Sequence, residues 1–284
     1  MAETIGGWAA PDLSGTVAVV TGASRGVGKG VAEVLGECGA TVYVTGRSSR
    51  VVPAADGSPG TVDETAELVT SSGGHGIAVV CDHGDERQVE ALFARVADEQ
   101  HGRLDLLVNN AWGGYEEYDG VGFGLPFWEQ SPSYWERMVD RGVRLQYLAA
   151  RRAAPLMIAR GRGLMIGTAA GDRGRYLGNL VYDVAKAAVA RMTFGMATEL
   201  RPHGVAALTL LPGFSRTEAV LALYTGDLAP THSTQYVGRA VAMLAADPDV
   251  MRHSGESLRV ADLAESYGFV DVDGRLVPPF ELPE

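Results

Sequence analysis

The chain has 284 residues, of which 46% are hydrophobic and 21% charged, as in a globular protein with a sizeable buried core. A net charge of −11 argues against nucleic acid and against an anionic membrane as partners, and no apolar run reaches the ~18 residues of a membrane span. Cys38 and Cys81 offer neither a disulfide framework nor a metal-ligand spacing, and the N-terminus lacks the features of a signal peptide. We therefore expect a cytoplasmic protein that binds small molecules and no metal.

Short β-branched runs alternate with longer helical patterns along the chain, which is typical of a parallel sheet covered on both faces. The predicted strands are Thr16–Val20, Thr41–Thr45, Gly76–Val80, Leu104–Val108, Gly163–Gly167, Val205–Leu211 and Ser257–Val260. The predicted helices are Gly26–Cys38, Thr61–Ser71, Asp85–Gln100, Pro132–Arg160, Leu180–Pro202 and Thr234–Ala246. With no internal repeat and no domain boundary, residues 1–284 are predicted to form one α/β domain.

The first predicted strand is followed by TGASRGVGKG, in which three glycines have the spacing Gly-x-x-x-Gly-x-Gly. Glycine here permits a tight turn and lets the backbone approach a pyrophosphate at the N-terminus of the following helix. Because the loop follows a strand and opens a helix, it predicts a nucleotide site rather than a merely flexible turn. The loop residues predicted to bind the cofactor are Gly22, Ser24, Arg25, Gly26, Val27 and Gly28.

The end of the second predicted strand indicates which cofactor binds. An acid there would hydrogen-bond the ribose 2′-hydroxyl of NAD, whereas an arginine would receive the 2′-phosphate of NADP. The sequence is Thr-Gly-Arg47-Ser, without an acid, and Arg25 supplies a second cation. Two guanidinium groups can bind one phosphate bidentately. The sequence thus predicts NADP(H), unless Arg25 or Arg47 is only a solvated surface charge.

Two connections are unusually long for a compact domain. The first, Gly46–Gly60, is rich in Ser, Pro and Gly and is predicted to be an inserted loop. The second is Trp112–Ser131, and eight aromatic residues lie from its start to the next helix: Trp112, Tyr115, Tyr118, Phe123, Phe127, Trp128, Tyr134 and Trp135. They favour a packed wall or lid, although the last four could simply dock the loop on the helix. Trp112 and Tyr115 are better pocket candidates because they follow the carboxyl end of a strand.

Lys29 and Lys186 are the two lysines among 24 basic residues, and Lys186 lies four residues after Tyr182. On a helix this spacing places both side chains on one face, one turn apart. An ammonium beside a phenol lowers the tyrosine pKa, so the sequence predicts a tyrosine that passes a proton near neutral pH. A single short motif can occur by chance, so its weight depends on the motifs around it.

Taken together, the motifs resemble the short-chain dehydrogenase/reductases in their single-domain form. The shared residues follow the family's order over about residues 13–262: Thr21 to Gly28, Asp82, Asn109-Asn110-Ala111, Tyr182, Lys186, Pro212-Gly213 and Thr217. The stretches GRLDLLVNNA, FWEQSP and DLAESYGFVDVDGR are most similar to the subgroup called dehydrogenase/reductase family member 1. The resemblance implies a Rossmann-type, doubly wound parallel sheet of about seven strands with helices on both faces.

The resemblance also implies roles for individual residues. Asp82 would contact the adenine ring, and Lys186 would hold the nicotinamide ribose as well as tune Tyr182. His83 is a further cofactor candidate because it follows Asp82. The other implied cofactor contacts are Asn109, Ala111, Pro212, Gly213, Phe214 and Thr217. The residues predicted to contact substrate are Trp112, Tyr115, Tyr176 and Phe214. The family tends to form dimers or tetramers through the helices predicted at Pro132–Arg160 and Leu180–Pro202, which implies a homodimer or homotetramer.

The sequence departs from the family pattern at three positions. The serine that would polarise the substrate carbonyl is replaced by Ala169, so Thr168 is predicted to supply the hydroxyl, unless it only satisfies backbone at the strand's end. The family's helix asparagine is replaced here by Gly142, and the member-1 subgroup also has glycine at this position. A glycine inside a helix needs a reason, such as close packing or a backbone carbonyl freed to bind water. Trp112 replaces the usual glycine after Asn-Asn-Ala and should narrow the pocket or form its wall.

These features predict an NADP(H)-dependent oxidoreductase that interconverts a ketone or aldehyde and an alcohol, with Tyr182 as general acid or base. A different class of function is a non-catalytic NADP(H)-binding sensor or assembly protein, which the changes at Ala169 and Gly142 would suit. A sugar-nucleotide epimerase or dehydratase shares the Tyr–Lys pair, but the glycine spacing and short C-terminus fit the single-domain reductases better.

Overall fold

The computed structural model describes residues 7–54, 57–115, 124–171 and 174–281. Within these residues seven strands form one sheet in the order β3-β2-β1-β4-β5-β6-β7, and every neighbouring pair is parallel. The strands are β1 Val17–Thr21, β2 Thr41–Gly46, β3 His75–Val80, β4 Leu106–Asn109, β5 Gly163–Thr168, β6 Val205–Leu211 and β7 Ser257–Arg259. The predicted strands and the doubly wound sheet are confirmed.

The helices cover both faces of this sheet. They are α1 Gly26–Glu37, α2 Val62–Ser71, α3 Glu86–Glu99, α4 Ser133–Trp135, α5 Arg144–Arg160, α6 Leu180–Leu200, α7 Glu218–Leu223, α8 Thr234–Ala246 and α9 Val260–Tyr267. Side-chain caps set several starts: Thr61 accepts from the Glu64 N–H, and Asn179 accepts from the Tyr182 N–H. The predicted helix Pro132–Arg160 is wrong as one α-helix, because a π-helical segment, Glu136–Val143, lies between α4 and α5. The short helices α7 and α9 were not predicted.

Alternate strand residues enter two separate cores, because successive side chains of a strand point to opposite faces of the sheet. Ala18 and Val20 pack with the helices α1, α2, α8 and α9, while Val17 and Val19 pack with α3, α5 and α6. Both sets are almost completely buried. Burial on both faces explains why β1 is a continuous apolar run rather than an alternating one.

The strand order reverses between β1 and β4, which opens a crevice at the carboxyl ends of these two strands. Thr21 at the end of β1 joins the two sides: its Oγ1 accepts the N–H groups of Asn110 and Ala111, both at 2.9 Å. The Asn110 amide in turn donates to the carbonyl oxygens of Thr21 and Gly22 at 3.0 Å. These bonds fix the glycine loop against the end of β4.

Contacts with α2 hold the first of the two long connections in place. In the first, the Val62 N–H donates to the Ser48 carbonyl, and Arg50 pairs with Glu67 at 2.5 Å. In the second, Tyr118 and Phe123 lie outside the described residues. Of the four residues expected to dock this loop, Tyr134 is buried, but Phe127, Trp128 and Trp135 are exposed. The docking interpretation stays a prediction for these three.

No helix in the described part of the chain has the length and apolarity needed to cross a membrane. Over the same residues there is no group of three or more His, Cys, Asp or Glu side chains that could hold a metal ion.

Candidate active site

The turn from β1 to α1 has a backbone that side chains would not tolerate. Gly22 and Gly26 have φ of +65° and +59°, in the left-handed region that favours glycine. A Cβ on Gly28 would lie 2.4 Å from the Gly22 carbonyl oxygen and 2.5 Å from the Asn110 amide nitrogen. The first turn of α1 is therefore pressed against the crevice, with its N–H groups directed at the place where an anion would bind.

A carboxylate already contacts this helix N-terminus. Glu218 Oε2 accepts a hydrogen bond from the Gly26 N–H at 2.8 Å. Glu218 opens α7, and Thr217 caps that helix by accepting from the Val220 N–H at 3.2 Å. The Thr217 methyl lies 3.5 Å from where a Gly26 Cβ would stand. The segment after β6 thus closes over the glycine loop.

Arg25 reaches from the glycine loop to the end of β2. Its Nη2 donates to Ser48 Oγ at 2.9 Å and to the Gly60 carbonyl oxygen at 3.2 Å. Arg47, the residue before Ser48, is exposed. The two arginines therefore lie at the same edge of the crevice, where β2 ends without an acid.

His83 and Asp82 follow β3 and have different hydrogen-bond partners. The His83 imidazole is buried, with Nε2 2.8 Å from Thr45 Oγ1, and burial lowers its pKa to about 4, so it is neutral. The Asp82 carboxylate accepts from the Gly84 N–H at 2.8 Å. The imidazole of His83 is therefore engaged with β2.

Tyr182 and Lys186 lie one turn apart on α6, at the carboxyl side of β4 and β5. The Tyr182 ring stacks on Tyr115, with centroids 6.2 Å apart, and meets Trp112 edge-on at 5.9 Å. Burial raises the pKa of Tyr182, and a hydrogen bond with Tyr115 opposes the rise. The predicted lowering of this pKa is therefore wrong for this structure.

The Lys186 ammonium explains the difference, because it is directed at Trp112. Its Nζ lies 3.3 Å from the centroid of the indole and 5.4 Å from that of the Tyr182 ring. The side chain is buried, and burial lowers the pKa of Lys186 to about 7. Tyr182, Lys186, Trp112 and Tyr115 thus form one compact group.

Thr168 does not present a free hydroxyl. Its Oγ1 donates to the Asn109 carbonyl oxygen at 3.2 Å, and its own carbonyl accepts from Gln146 Nε2 at 3.1 Å. The Asn109 amide donates to the Gln146 carbonyl at 3.0 Å. This geometry agrees with the alternative in which Thr168 satisfies backbone at the end of β5. Ala169, beside it, is buried.

The loop after β6 carries the remaining predicted cofactor contacts. Gly213 has φ of +88°, and the Pro212 carbonyl oxygen lies 2.7 Å from His232 Nε2. Phe214 meets Tyr224 edge-on, with centroids 5.0 Å apart. The loop is therefore fixed from behind by the buried His232.

Tyr176, predicted to contact substrate, lies between β5 and α6 and is 57% exposed.

Residues 16–226 match the sequence profile described as short chain dehydrogenase, which is well over half of the chain. The chain belongs to the short-chain dehydrogenase family. It is 37% identical over 286 residues to "Dehydrogenase/reductase SDR family member 1" of Homo sapiens, covering 96% of this chain and 88% of that protein. The predicted family and the resemblance to the member-1 subgroup are confirmed.

Solved structures of the family share the fold. A short chain dehydrogenase from Mycobacterium thermoresistibile superposes with a TM-score of 0.80 at 26% identity, covering 95% of this chain and 94% of that one. A metagenomic short-chain oxidoreductase, solved in complex with NADP, superposes with a TM-score of 0.67 at 29% identity, covering 87% and 97%.

Three residues that contact the site from behind or across it were not found from the sequence. Glu218 contacts a residue 192 positions away, Gln146 joins Asn109 to Thr168, and His232 lies behind Pro212. The one signal available was that Glu218 follows a threonine suited to cap a helix.

Proposed function

We propose that the protein is an NADP(H)-dependent oxidoreductase that interconverts a ketone or aldehyde and an alcohol. The observation that carries this proposal is the placement of the partly buried Tyr182 and the buried Lys186 at the crevice that the glycine loop borders. A nucleotide-binding turn and a proton-donating group on one crevice are what hydride transfer to a carbonyl needs.

The residues present fit a dinucleotide. The glycine loop brings its backbone to the N-terminus of α1, where a pyrophosphate would take the place of the Glu218 carboxylate on the Gly26 N–H. Side chains at Gly22 and Gly26 would be strained, and one at Gly28 would clash. Asp82, His83, Asn109 and Ala111 would line the adenine and ribose side, and Pro212, Gly213, Phe214 and Thr217 the nicotinamide side. The other loop residues proposed to contact it are Ser24 and Val27.

The arginine pair supports NADP(H) over NAD(H). Arg25 already donates to Ser48 at the end of β2, so a 2′-phosphate there would meet Arg25 and could meet Arg47. A carboxylate that would favour the 2′-hydroxyl is missing from Thr45 to Ser48. One structural neighbour of this family was solved with NADP.

When bound, NADPH supplies the hydride that attacks the carbonyl carbon. Tyr182 donates its phenolic proton to the substrate oxygen, which completes the alcohol. Burial raises the pKa of Tyr182, which favours the protonated phenol that reduction needs. Trp112 and Tyr115 pack on the Tyr182 ring. They form an aromatic wall that suits an apolar substrate.

A non-catalytic, NADP(H)-binding role is the second candidate. It is favoured by the absence of a hydroxyl at Ala169 and by the bond that Thr168 makes to the Asn109 carbonyl, which together leave the substrate carbonyl without the usual donor. The partly buried Tyr182 and the buried Lys186 favour the enzyme instead.

We also propose a homodimer or homotetramer. The helices α5 and α6 expose apolar side chains, among them Tyr147, Val184 and Phe194. A surface of this kind is typical of an association face. The cytoplasmic location stays a prediction from the sequence.

The test is consumption of NADPH by the purified protein against a panel of aldehydes, ketones, quinones and steroids, with NADH in parallel. We expect turnover with NADPH to exceed turnover with NADH by at least about tenfold, the effect of roughly 1.4 kcal/mol from one bound phosphate. Binding of NADPH without turnover on this panel or on alcohols with NADP would favour the non-catalytic role.

The Glu218 contact predicts an effect on cofactor affinity. The carboxylate holds the Gly26 N–H at the helix end where a pyrophosphate would bind, so the two anions would compete. Replacing it in Glu218→Gln should tighten NADPH binding by about two- to fivefold, as expected when a repulsive contact of up to about 1 kcal/mol is removed. Titration of NADPH fluorescence measures this. Glu265→Gln, at an exposed glutamate of α9, is the matched control, and equal or weaker binding by the Glu218 variant would contradict the competition.

A further inference from the structure

We propose that Trp112 is a positioning residue for Lys186: the face of its indole holds the ammonium in place, and Gly142 is glycine because the indole needs its space. This inference rests on the proposed function only in what the positioned ammonium is for. The contact itself can be measured without any activity.

The ammonium of Lys186 is buried, yet the described residues give it no carboxylate partner. Burial is the one cause that shifts its pKa, with no charged neighbour contributing. Its Nζ lies 3.3 Å from the centroid of the Trp112 indole, well within the ~6 Å of a cation–π contact. Such contacts stabilise a cation that has lost its water. The indole therefore takes the place of a counter-ion.

The indole is held in this position by two glycines. A Cβ on Gly142 would lie 2.4 Å from Cζ3 of Trp112, and a Cβ on Gly114 would lie 2.7 Å from Cε2. The Gly113 N–H donates to the Arg141 carbonyl oxygen at 2.6 Å, which ties the loop after β4 to the π-helical segment. The ring has no room to turn while these contacts persist.

Two departures from the family pattern, Trp112 and Gly142, are therefore parts of one packing arrangement. The bulky residue at position 112 occupies the space that a side chain at position 142 would fill. Of the two reasons considered for a helical glycine, the geometry supports close packing. The wide turns of the π-helical segment bring Gly142 against the ring, and such segments often occur at functional sites.

The consequence for Tyr182 follows from the same contacts. The Trp112 ring faces Lys186 and meets Tyr182 edge-on, with an interplanar angle of 87°. It therefore holds Lys186 Nζ 5.4 Å from the centroid of the Tyr182 ring and, unlike a carboxylate, adds no negative charge beside it. Without the indole, the buried ammonium would lose the contact that holds it in place.

The test uses the fact that Lys29 and Lys186 are the two lysines of the chain. Protein labelled with ¹³C,¹⁵N-lysine gives two sets of side-chain signals, and Lys29→Arg assigns them. We expect the Lys186 ε-protons to be shifted upfield by the ring current of Trp112, relative to those of Lys29. In Trp112→Leu the upfield shift should vanish, while Trp112→Phe should retain part of it. An unchanged Lys186 shift in Trp112→Leu would overturn the inference.

Gly142→Ala provides a second route that leaves the indole in the chain. The added methyl should displace the ring, change the Lys186 shift and lower the melting temperature by roughly 2–10 °C. Gly195→Ala is the matched control, because a Cβ there meets nothing within 4 Å on α6. The double variant Gly142→Ala with Trp112→Leu should recover much of the stability that Gly142→Ala alone loses. Equal effects of the two glycine variants, or purely additive losses in the double variant, would contradict the pairing.

Activity measurements then separate this inference from the proposed function. If the enzyme turns over, Trp112→Leu should lower kcat more than it raises KM, and Trp112→Phe should restore part of kcat. If no substrate is found but the Lys186 shift depends on Trp112, the positioning holds and the proposed function fails.

Discussion

Replacing Tyr182 with phenylalanine is expected to lower the rate of carbonyl reduction by about 10²- to 10⁴-fold, the usual contribution of a positioned general acid. The change removes one hydroxyl and retains the ring that stacks on Tyr115 and meets Trp112. NADPH affinity should stay within about twofold, because the phosphate and adenine contacts lie on other elements. Single-turnover oxidation of NADPH measures the chemical step, and NADPH fluorescence measures binding.

Tyr147→Phe is the matched control for this experiment. It removes the same hydroxyl from a half-exposed tyrosine on α5, outside the aromatic group around Tyr182. We expect wild-type rates from it. Retention of the wild-type rate by Tyr182→Phe would contradict Tyr182 as the proton donor, and loss of NADPH binding together with activity would show that the substitution had disturbed the crevice.

The sheet could be predicted from the sequence because its signals are local. Strands buried on both faces are continuous apolar runs, as in Val17–Thr21, and capping residues such as Thr61 and Asn179 mark helix starts. The helices α7 and α9 have six and eight residues, too few for a helical period to stand out. The π-helical segment could not be predicted either, because its sequence pattern is that of an ordinary helix.

The site was predictable where a motif carries its own geometry and not where it depends on distant contacts. The glycine loop forms one connection between β1 and α1, and Tyr182 and Lys186 lie one helical turn apart on α6. The pKa of Tyr182 was predicted in the wrong direction, because a one-turn spacing does not say where the ammonium of Lys186 points. Burial raises the pKa of Tyr182, and the Trp112 indole from the loop after β4 determines where the ammonium points. The same holds for Glu218, whose partner Gly26 is distant in the chain.

Replacing Asp271 with alanine is expected to cost about 3–5 kcal/mol of unfolding free energy, because it leaves buried donors and a cation without their partner. The Asp271 side chain is fully buried and follows α9. It accepts from the Ser233 N–H at 2.9 Å, from the Val272 N–H at 2.8 Å, from Arg216 Nη2 at 3.3 Å and from the Ser233 hydroxyl. Urea denaturation followed by circular dichroism measures the loss.

Asp262→Ala is the control, since it removes a surface carboxylate that pairs with Arg259 at 2.6 Å. An exposed pair of this kind contributes at most about 1 kcal/mol, so the two variants should differ clearly. Similar losses would contradict a structural role for Asp271. Ser233 is bonded to Asp271, and its neighbour His232 contacts the Pro212 carbonyl. The Asp271 variant should therefore also bind NADPH more weakly at temperatures where it is still folded, because the loop from Pro212 to Thr217 loses its support.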